Sequence, residues 1–231
     1  IVFADAEFGS NDAGGLSLLE INTGEVSSYI EASGEISLTT PKWSPKGDRI
    51  LFGIVQLDMP AGDENRILQG LGKYPEGTFT RIENADECDW HPGGERFACS
   101  VKVQATECEG IATFTKDGIL IDNIFQNNNA CPMVNQIKWS PNGEKIVFWS
   151  MLNYGEPGDL YIINSDGSGL VKLTHSMEGV NSPGWSPDSE FVVFSSRNDG
   201  DSDIYKIRID TLELELLTDN SVNDWGVEWY P

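Results

Sequence analysis

The sequence predicts an all-β protein, a five-bladed β-propeller with four antiparallel strands in each blade. The first observation behind this is a repeated phrase, Trp-Ser-Pro or Trp-His-Pro, followed closely by Gly or Ser and then an acidic residue. Copies of the phrase begin at Trp43, Trp90, Trp139 and Trp185, and a truncated fifth copy begins at Trp229. Successive copies lie between 44 and 49 residues apart, and a repeat of this length built from short strands is typical of propeller blades.

The second observation is the strand pattern inside each repeat. Each phrase lies between two extended segments, and its Pro and Gly residues favour the turn of a β-hairpin. Two further short strands follow before the next phrase, so that each blade holds strands a, b, c and d in order. The whole chain, 1–231, then forms one domain, with blades predicted at 226–231 together with 1–31, at 41–83, 85–126, 136–174 and 183–218.

The third observation concerns the two ends of the chain. The opening Ile1–Ala4 resembles a strand b, and the strand a missing from that blade is found in the last residues, Gly226–Tyr230. We therefore expect the C-terminal strand to pair with the N-terminal blade and close the ring, which removes open sheet edges. The alternative is a fragment of a longer, six-bladed propeller. Because the chain begins with Ile1, it is either processed or part of a longer protein.

Charge excludes some classes of partner. The chain has 37 acidic and 15 basic residues, and its formal net charge is −22. Such a field repels nucleic acid and anionic lipid surfaces and suits cations, basic partners or simple solubility. Because no window is long and apolar enough for a membrane helix, we expect no membrane insertion.

The best-preserved repeats resemble those of TolB-type, WD40-like propellers. The resemblance is carried by the segments 159–174 and Trp185–Arg197, and by Asp203–Tyr205 and Leu216–Thr218. It implies a propeller fold, a periplasmic, secreted or cell-surface location, and a role in protein binding. The chain departs from TolB in lacking a visible N-terminal partner domain and in its number of blades.

The four cysteines predict two disulfide bonds. If Trp90 pairs with Phe97 in the hairpin of the third blade, the same register places Cys88 opposite Cys99, close enough for a disulfide. Cys108 and Cys131 both fall in connections at one end of that blade, and we expect them to pair with each other. Two disulfides imply an oxidising compartment. The alternatives are four reduced buried thiols or, with less support from the spacing, a zinc site.

The b-to-c and d-to-a connections share one end of a propeller, here called the top face, and they carry many of the acidic residues. Alternating carboxylates in one of these connections predict a calcium site at Asp199, Asp201 and Asp203, since Ca²⁺ prefers such oxygen ligands. A second cation candidate combines Asp58 with Asp63 and Glu64. The alternative for Asp199–Asp203 is an ordinary turn.

Aromatic residues also occur in the top-face connections. Tyr154 and Trp225 are candidate ligand-binding residues, together with the acidic pair Asp63 and Glu64. Exposed Tyr and Trp side chains commonly contribute to binding sites. The alternative for each aromatic side chain is packing beneath its own loop.

These observations favour a non-enzymatic, extracytoplasmic binding or scaffold module whose acidic top face engages a protein, a glycan or a cation. One alternative is an enzyme like the five-bladed glycoside hydrolases, which use carboxylates around the central channel. Only two histidines are present and no Gly-x-Ser-x-Gly motif occurs, which argues against a serine hydrolase. Another alternative is a self-assembling subunit of a surface polymer.

Overall fold

The protein is described by a computed structural model that covers 1–4, 14–31, 36–56, 67–103, 108–126, 132–152, 157–175, 177–197 and 200–229. The described residues form β-strands joined by turns and irregular connections. In chain order the strands are β1 (Val2–Ala4), β2 (Leu16–Leu19), β3 (Val26–Ile30), β4 (Ile36–Trp43), β5 (Arg49–Gln56), β6 (Ile67–Lys73), β7 (Thr78–Ile82), β8 (Ala85–Trp90), β9 (Arg96–Lys102), β10 (Glu109–Thr115), β11 (Leu120–Phe125), β12 (Met133–Trp139), β13 (Lys145–Met151), β14 (Asp159–Asn164), β15 (Val171–Lys172), β16 (Asn181–Trp185), β17 (Phe191–Ser196), β18 (Asp203–Arg208) and β19 (Leu214–Leu216).

The strands form five antiparallel sheets, each of which pairs strands that are consecutive in the chain. The first sheet contains β1–β3, and the other four contain β4–β7, β8–β11, β12–β15 and β16–β19. These sheets are the blades of a five-bladed propeller, which confirms the predicted fold class. The first blade has three strands within the described residues, and each of the others has four.

The repeated Trp phrase forms the turn between strands a and b of a blade. In the fourth blade the Ser140 hydroxyl accepts a hydrogen bond from the Lys145 N–H at 3.0 Å, and in the fifth Ser186 accepts one from Phe191 at 2.9 Å. This side-chain cap satisfies a backbone donor that the tight turn would otherwise leave unpaired. The Ser of the phrase therefore fixes the turn from which strand b begins.

Two tryptophans of the phrase, Trp90 and Trp185, each join their blade to the preceding one. The Trp90 indole N–H donates to the carbonyl of Lys42 in the preceding blade at 3.1 Å, and the Trp185 indole donates to Lys138 at the same distance. Both rings are buried. Because each bond crosses a blade boundary, these tryptophans set the packing of neighbouring first strands.

The hydrophobic core is divided into four clusters, one at each boundary between consecutive blades. Every complete blade contributes a fully buried Phe from its second strand. These residues are Phe52, Phe97, Phe148 and Phe194. In the third blade, Phe97 stacks on Phe114 of the next strand with ring centroids 5.4 Å apart. Such pairs bury a large apolar area in a defined geometry. The core therefore holds the blades face to face and leaves the first strands at the centre of the ring.

The C-terminal segment differs from the sequence-based expectation. Among the described residues, 217–229 form no strand and β1 pairs with β2 alone. The segment instead lies beside β16, where a Cβ atom on Gly184 would be 3.5 Å from the Val227 carbonyl oxygen. Strand β1 lies next to β4. The predicted pairing of this segment with Ile1–Ala4 is thus not formed in the part of the chain that the structure describes.

Within the described ranges, no helix has the length and apolar composition that crossing a membrane requires.

Candidate functional site

The first strand of every four-stranded blade is interrupted at the same place, a few residues before its Trp. The pairing with the second strand shifts there by extra residues. These interruptions, here called the inner bulges, span Thr39–Lys42, Ala85–Cys88, Asn135–Lys138 and Asn181–Gly184. Bulges re-aim side chains and are common next to functional sites.

Three of the inner bulges also hold a non-glycine residue at positive φ. The angles are 45° at Thr40, 56° at Gln136 and 54° at Ser182. Each of these residues lies three positions before its Trp. Such backbone conformations are unfavourable for residues with a Cβ and persist only where the surroundings enforce them. Gly226, three positions before Trp229, has the same sign of φ, at 70°. The C-terminal segment therefore carries the inner-bulge conformation although it forms no strand.

Side chains from one blade hold the inner bulge of the next. The Glu87 carboxylate accepts a hydrogen bond from the Gln136 N–H at 2.6 Å. The Gln136 side-chain oxygen in turn accepts one from the Ser182 N–H at 3.0 Å, and the Gln136 amide donates to Asn181. These bonds run across three consecutive blades. They satisfy the backbone donors that the bulges release from the sheet.

Two cavities open onto the inner bulges. The first, of about 480 Å³, is lined by Asp86, Glu87 and Lys138 among other residues. The second, of about 540 Å³, shares Glu87 and Lys138 and adds Trp229. Pockets of this size, with a few convergent polar groups, are the usual form of a binding site. The inner bulges with these two cavities are the candidate functional site, and Asp86, Glu87 and Gln136 are residues that sequence reasoning did not single out.

Among the carboxylates of this site Asp86 is the least compensated, although Lys42 and Lys138 also line the first cavity. Burial, and then the neighbouring Glu87, raise the pKa of Asp86 against a weaker opposing effect of Lys102. No cation within the described ranges forms an ion pair with Asp86. Burial also raises the pKa of Asp89, although Lys42 lies 3.7 Å away and the Trp139 N–H donates to Asp89 at 2.9 Å. A carboxylate such as that of Asp86, which is partly desolvated and forms no ion pair within the described residues, would attract a basic group from outside.

A disulfide bond lies directly behind the first cavity. Cys88 faces Cys99 across β8 and β9, and the two residues are bonded, with Cα atoms 4.1 Å apart. Cys88 also lines the first cavity. Cys108 is disulfide-bonded as well. Cys131 lies outside the described residues, so the Cys108–Cys131 pairing stays a prediction.

The three aspartates of the expected calcium site have different environments. Asp203 begins β18, is fully buried, and accepts a hydrogen bond from the Thr218 hydroxyl at 3.3 Å. Asp201 has one carboxylate oxygen, Oδ2, that is buried without a hydrogen-bond partner. Asp199 lies outside the described residues. Within those residues no group of three or more acidic, His or Cys side chains is arranged to hold a metal ion. The calcium site therefore stays a prediction.

The hydrogen bond between Thr218 and Asp203 has an equivalent in the fourth blade. There the Thr174 hydroxyl donates to Asp159 at 2.8 Å and accepts from the Leu160 N–H at 3.0 Å. Asp159 also forms an ion pair with Lys172 at 2.5 Å. In the fourth and fifth blades the Asp and Thr join the start of strand c to the segment that follows strand d. The Asp of the Asp-x-Tyr motif and the Thr of the Leu-Thr motif thus stabilise the blade by bonding to each other.

The predicted ligand-binding residues are only partly described. Tyr154, Asp58, Asp63 and Glu64 lie outside the described residues. Trp225 is 81% exposed, so it does not pack beneath its own loop. It lines a cavity of about 620 Å³ with Arg197, Asn181 and Asn223, here called the Trp225 cavity.

Comparison with known proteins places this fold among TolB-type propellers. An uncharacterized protein of Agrobacterium fabrum is 26% identical over 195 residues, which are 80% of this chain and 59% of that protein. The Tol-Pal system protein TolB of Alcanivorax borkumensis is 34% identical over 85 residues, 36% of this chain and 18% of that protein. The crystal structure of TolB from Acinetobacter baumannii matches with a TM-score of 0.66 at 14% identity, over 97% of this chain and 54% of that one.

The fold is therefore that of a TolB-type β-propeller, as the repeats predicted. The chain spans little more than half the length of the Agrobacterium protein and of the Acinetobacter structure. No protein-family model matches the sequence.

Proposed function

We propose that this chain is a non-enzymatic, extracytoplasmic protein-binding module that engages a basic segment of a partner protein at the inner bulges. The observation that carries the proposal is the pair Asp86 and Glu87, half-buried on the bulge of β8 and lining a cavity of about 480 Å³. A Lys or Arg side chain entering this cavity would meet a carboxylate that has no cation partner among the described residues. Charge-assisted hydrogen bonds of this kind are stronger than neutral ones.

The overall charge supports a basic partner. A net charge of −22 attracts cationic proteins over long distances and raises their rate of association. The acidic top-face connections belong to the same surface in this proposal. Tyr154, with Asp63 and Glu64, then contributes further contacts around the central site.

Two observations support a protein partner outside the cytoplasm. One relative is a protein of the Tol-Pal system, and it shares the propeller repeats of this chain. The Cys88–Cys99 disulfide suits an oxidising compartment, where such bonds persist.

Calcium at Asp199, Asp201 and Asp203 is a further proposal for the same face. It is supported by the buried Asp201 Oδ2 that lacks a hydrogen-bond partner, since a bound cation would compensate that oxygen. Calorimetric titration with calcium chloride tests it, and the absence of heat at millimolar calcium would remove the site.

Titration with short peptides tests the protein-binding function. A lysine-rich peptide should bind, a glutamate-rich peptide of the same length should not, and the affinity should fall as salt is added. The double variant D86N/E87Q should weaken binding of the lysine-rich peptide by roughly tenfold, because each carboxylate contributes a charge-assisted bond. Gln at position 87 keeps an oxygen that can accept from the Gln136 N–H.

The matched control is E25Q/E213Q, which removes the same charge from two exposed turn residues. If it weakens binding as much as D86N/E87Q does, attraction comes from the net charge and not from the inner bulges. Equal binding of both peptides by the wild type would contradict the proposal altogether.

A further inference from the structure

We propose that the Trp225 cavity is a second, independent site, which binds a sugar ring that carries a carboxylate. This site goes beyond the proposed function, since its lining includes neither Asp86 nor Glu87 and it would attract the opposite charge, although Asn181 of one inner bulge also lines it. Its volume of about 620 Å³ falls within the usual range for small-molecule sites.

Arg197 is the charged group of this cavity. It directly follows β17, and its N–H donates to the Glu178 carbonyl at 2.7 Å, which fixes the backbone from which the side chain extends. Within the described ranges the guanidinium forms neither an ion pair nor a side-chain hydrogen bond. In a chain of net charge −22, a guanidinium that has no acidic partner among the described residues is a distinctive feature of this cavity wall. Its planar donors suit a carboxylate, which they can bind through two parallel hydrogen bonds.

Trp225 supplies a flat apolar surface beside this charge. Trp90 and Trp185 of the repeated phrase are buried, whereas Trp225, which lies outside the phrase, is 81% exposed. Its loop is held in place, because the Ser202 N–H donates to the Asn223 side chain at 2.9 Å and the Asp224 N–H donates to the Ser202 carbonyl at 2.5 Å. The ring is therefore presented to solvent on an ordered loop, at low entropic cost for a ligand that stacks on it.

The rest of the lining favours a sugar over a peptide. The cavity wall adds amides and hydroxyls from Asn181, Asn223, Ser195 and Ser202. These groups both donate and accept hydrogen bonds, as the hydroxyls of a sugar do. A peptide site would instead require a deep apolar pocket for an anchoring side chain, and the aliphatic side chain in this lining, that of Val222, is 65% exposed.

Calorimetric or NMR titration with short oligosaccharides tests this site. An oligomer of glucuronate units should bind with millimolar affinity or better, and a glucose oligomer of the same length should bind more weakly. R197Q should weaken glucuronate binding by roughly ten- to a hundredfold, since it removes a charged hydrogen-bond partner. W225A should weaken both oligomers, because it removes the stacking surface. Arg197 and Trp225 are exposed, so both variants should fold normally, as thermal unfolding will show.

The control variant is R81Q, which makes the same charge change on exposed Arg81 of β7 and should leave binding unchanged. Absence of binding by either oligomer would overturn the site. So would glucuronate binding that R197Q and R81Q affect equally. If a glutamate-containing peptide binds more tightly than glucuronate with the same dependence on Arg197, the ligand is a peptide and the assignment to a sugar is wrong. The lysine-rich peptide should bind R197Q and W225A as well as wild type, which keeps this test separate from the function proposed above.

Discussion

Replacing Thr174 by Val should destabilise the fourth blade strongly. The Thr174 hydroxyl is buried, donates to Asp159 at 2.8 Å and accepts from the Leu160 N–H at 3.0 Å. Val has nearly the same shape, so the change removes two hydrogen bonds and opens little space. It leaves a buried N–H without an acceptor and a buried carboxylate with one donor fewer. Each such loss costs about 1–3 kcal/mol, and we expect a total of about 3 kcal/mol.

Thr218 provides the internal comparison. It makes the equivalent bonds in the fifth blade, but its bond to Asp203 is 3.3 Å long and its side chain is half-buried. Because water can replace part of the hydrogen bonding that is lost with the Thr218 hydroxyl, T218V should lower the free energy of unfolding by only about 1 kcal/mol. T80V, on exposed Thr80 of β7, should change stability by no more than about 0.5 kcal/mol.

Urea unfolding followed by circular dichroism measures the free energy of unfolding of all three variants. In thermal unfolding of a domain of this size, a loss of about 3 kcal/mol should lower the melting temperature by roughly 6–12 °C. If T174V is no less stable than T80V, the Asp–Thr bond does not hold strands c and d together. If T218V costs as much as T174V, burial is not what sets the size of the effect.

Two further predictions concern the candidate functional site. Replacing both Cys88 and Cys99 by Ala should lower the free energy of unfolding by about 3 kcal/mol, because the 11-residue separation closes a short loop in the unfolded chain. D86N should stabilise the protein at neutral pH. The raised pKa of Asp86 means that the folded state binds this proton more tightly than the unfolded state does. The stability of the wild type therefore falls as the pH rises from about 4, the usual pKa of a carboxyl group, through the raised pKa of the folded state. The advantage of D86N should therefore shrink as the pH is lowered to about 4 in a series of urea unfolding curves. E213Q, at an exposed Glu with no such burial, should show no comparable trend, and a D86N curve parallel to it would contradict the assigned cause.

The repeated phrase made the fold predictable. Trp, Pro and Gly at fixed spacing encode a local turn, and local turns combined with alternating strands lead directly to blades. The same reasoning predicted the Cys88–Cys99 pair from a hairpin register, and the structure contains that bond. These features depend on residues close together in the chain, for which sequence patterns are informative.

The inner bulges could not be predicted in the same way. Gln136 and Ser182 adopt positive φ without being Gly, because side chains of the preceding blade enforce it. The partner of Ser182 lies 46 residues away in the chain, and nothing local indicates such a contact. A possible indication is positional, since each affected residue lies three places before a Trp.

The position of the C-terminal segment was difficult to predict for a related reason. Complementary ends suggested pairing of Gly226–Tyr230 with Ile1–Ala4, but strand composition does not specify which neighbour a segment contacts. In the structure Val227 and Glu228 lie against Gly184 of the fifth blade.

The chain of bonds from Glu87 through Gln136 to Ser182 means that the blades are not interchangeable modules. The third and fourth blades each supply a side chain whose length and polarity fit the next blade. These contacts therefore depend on the order of the repeats. A chimera that exchanged the fourth and fifth blades would keep every Trp phrase and still mismatch these junctions. After duplication of such a repeat, residues that contact each other across a junction must therefore diverge together, since a change in one blade requires a compensating change in the blade beside it.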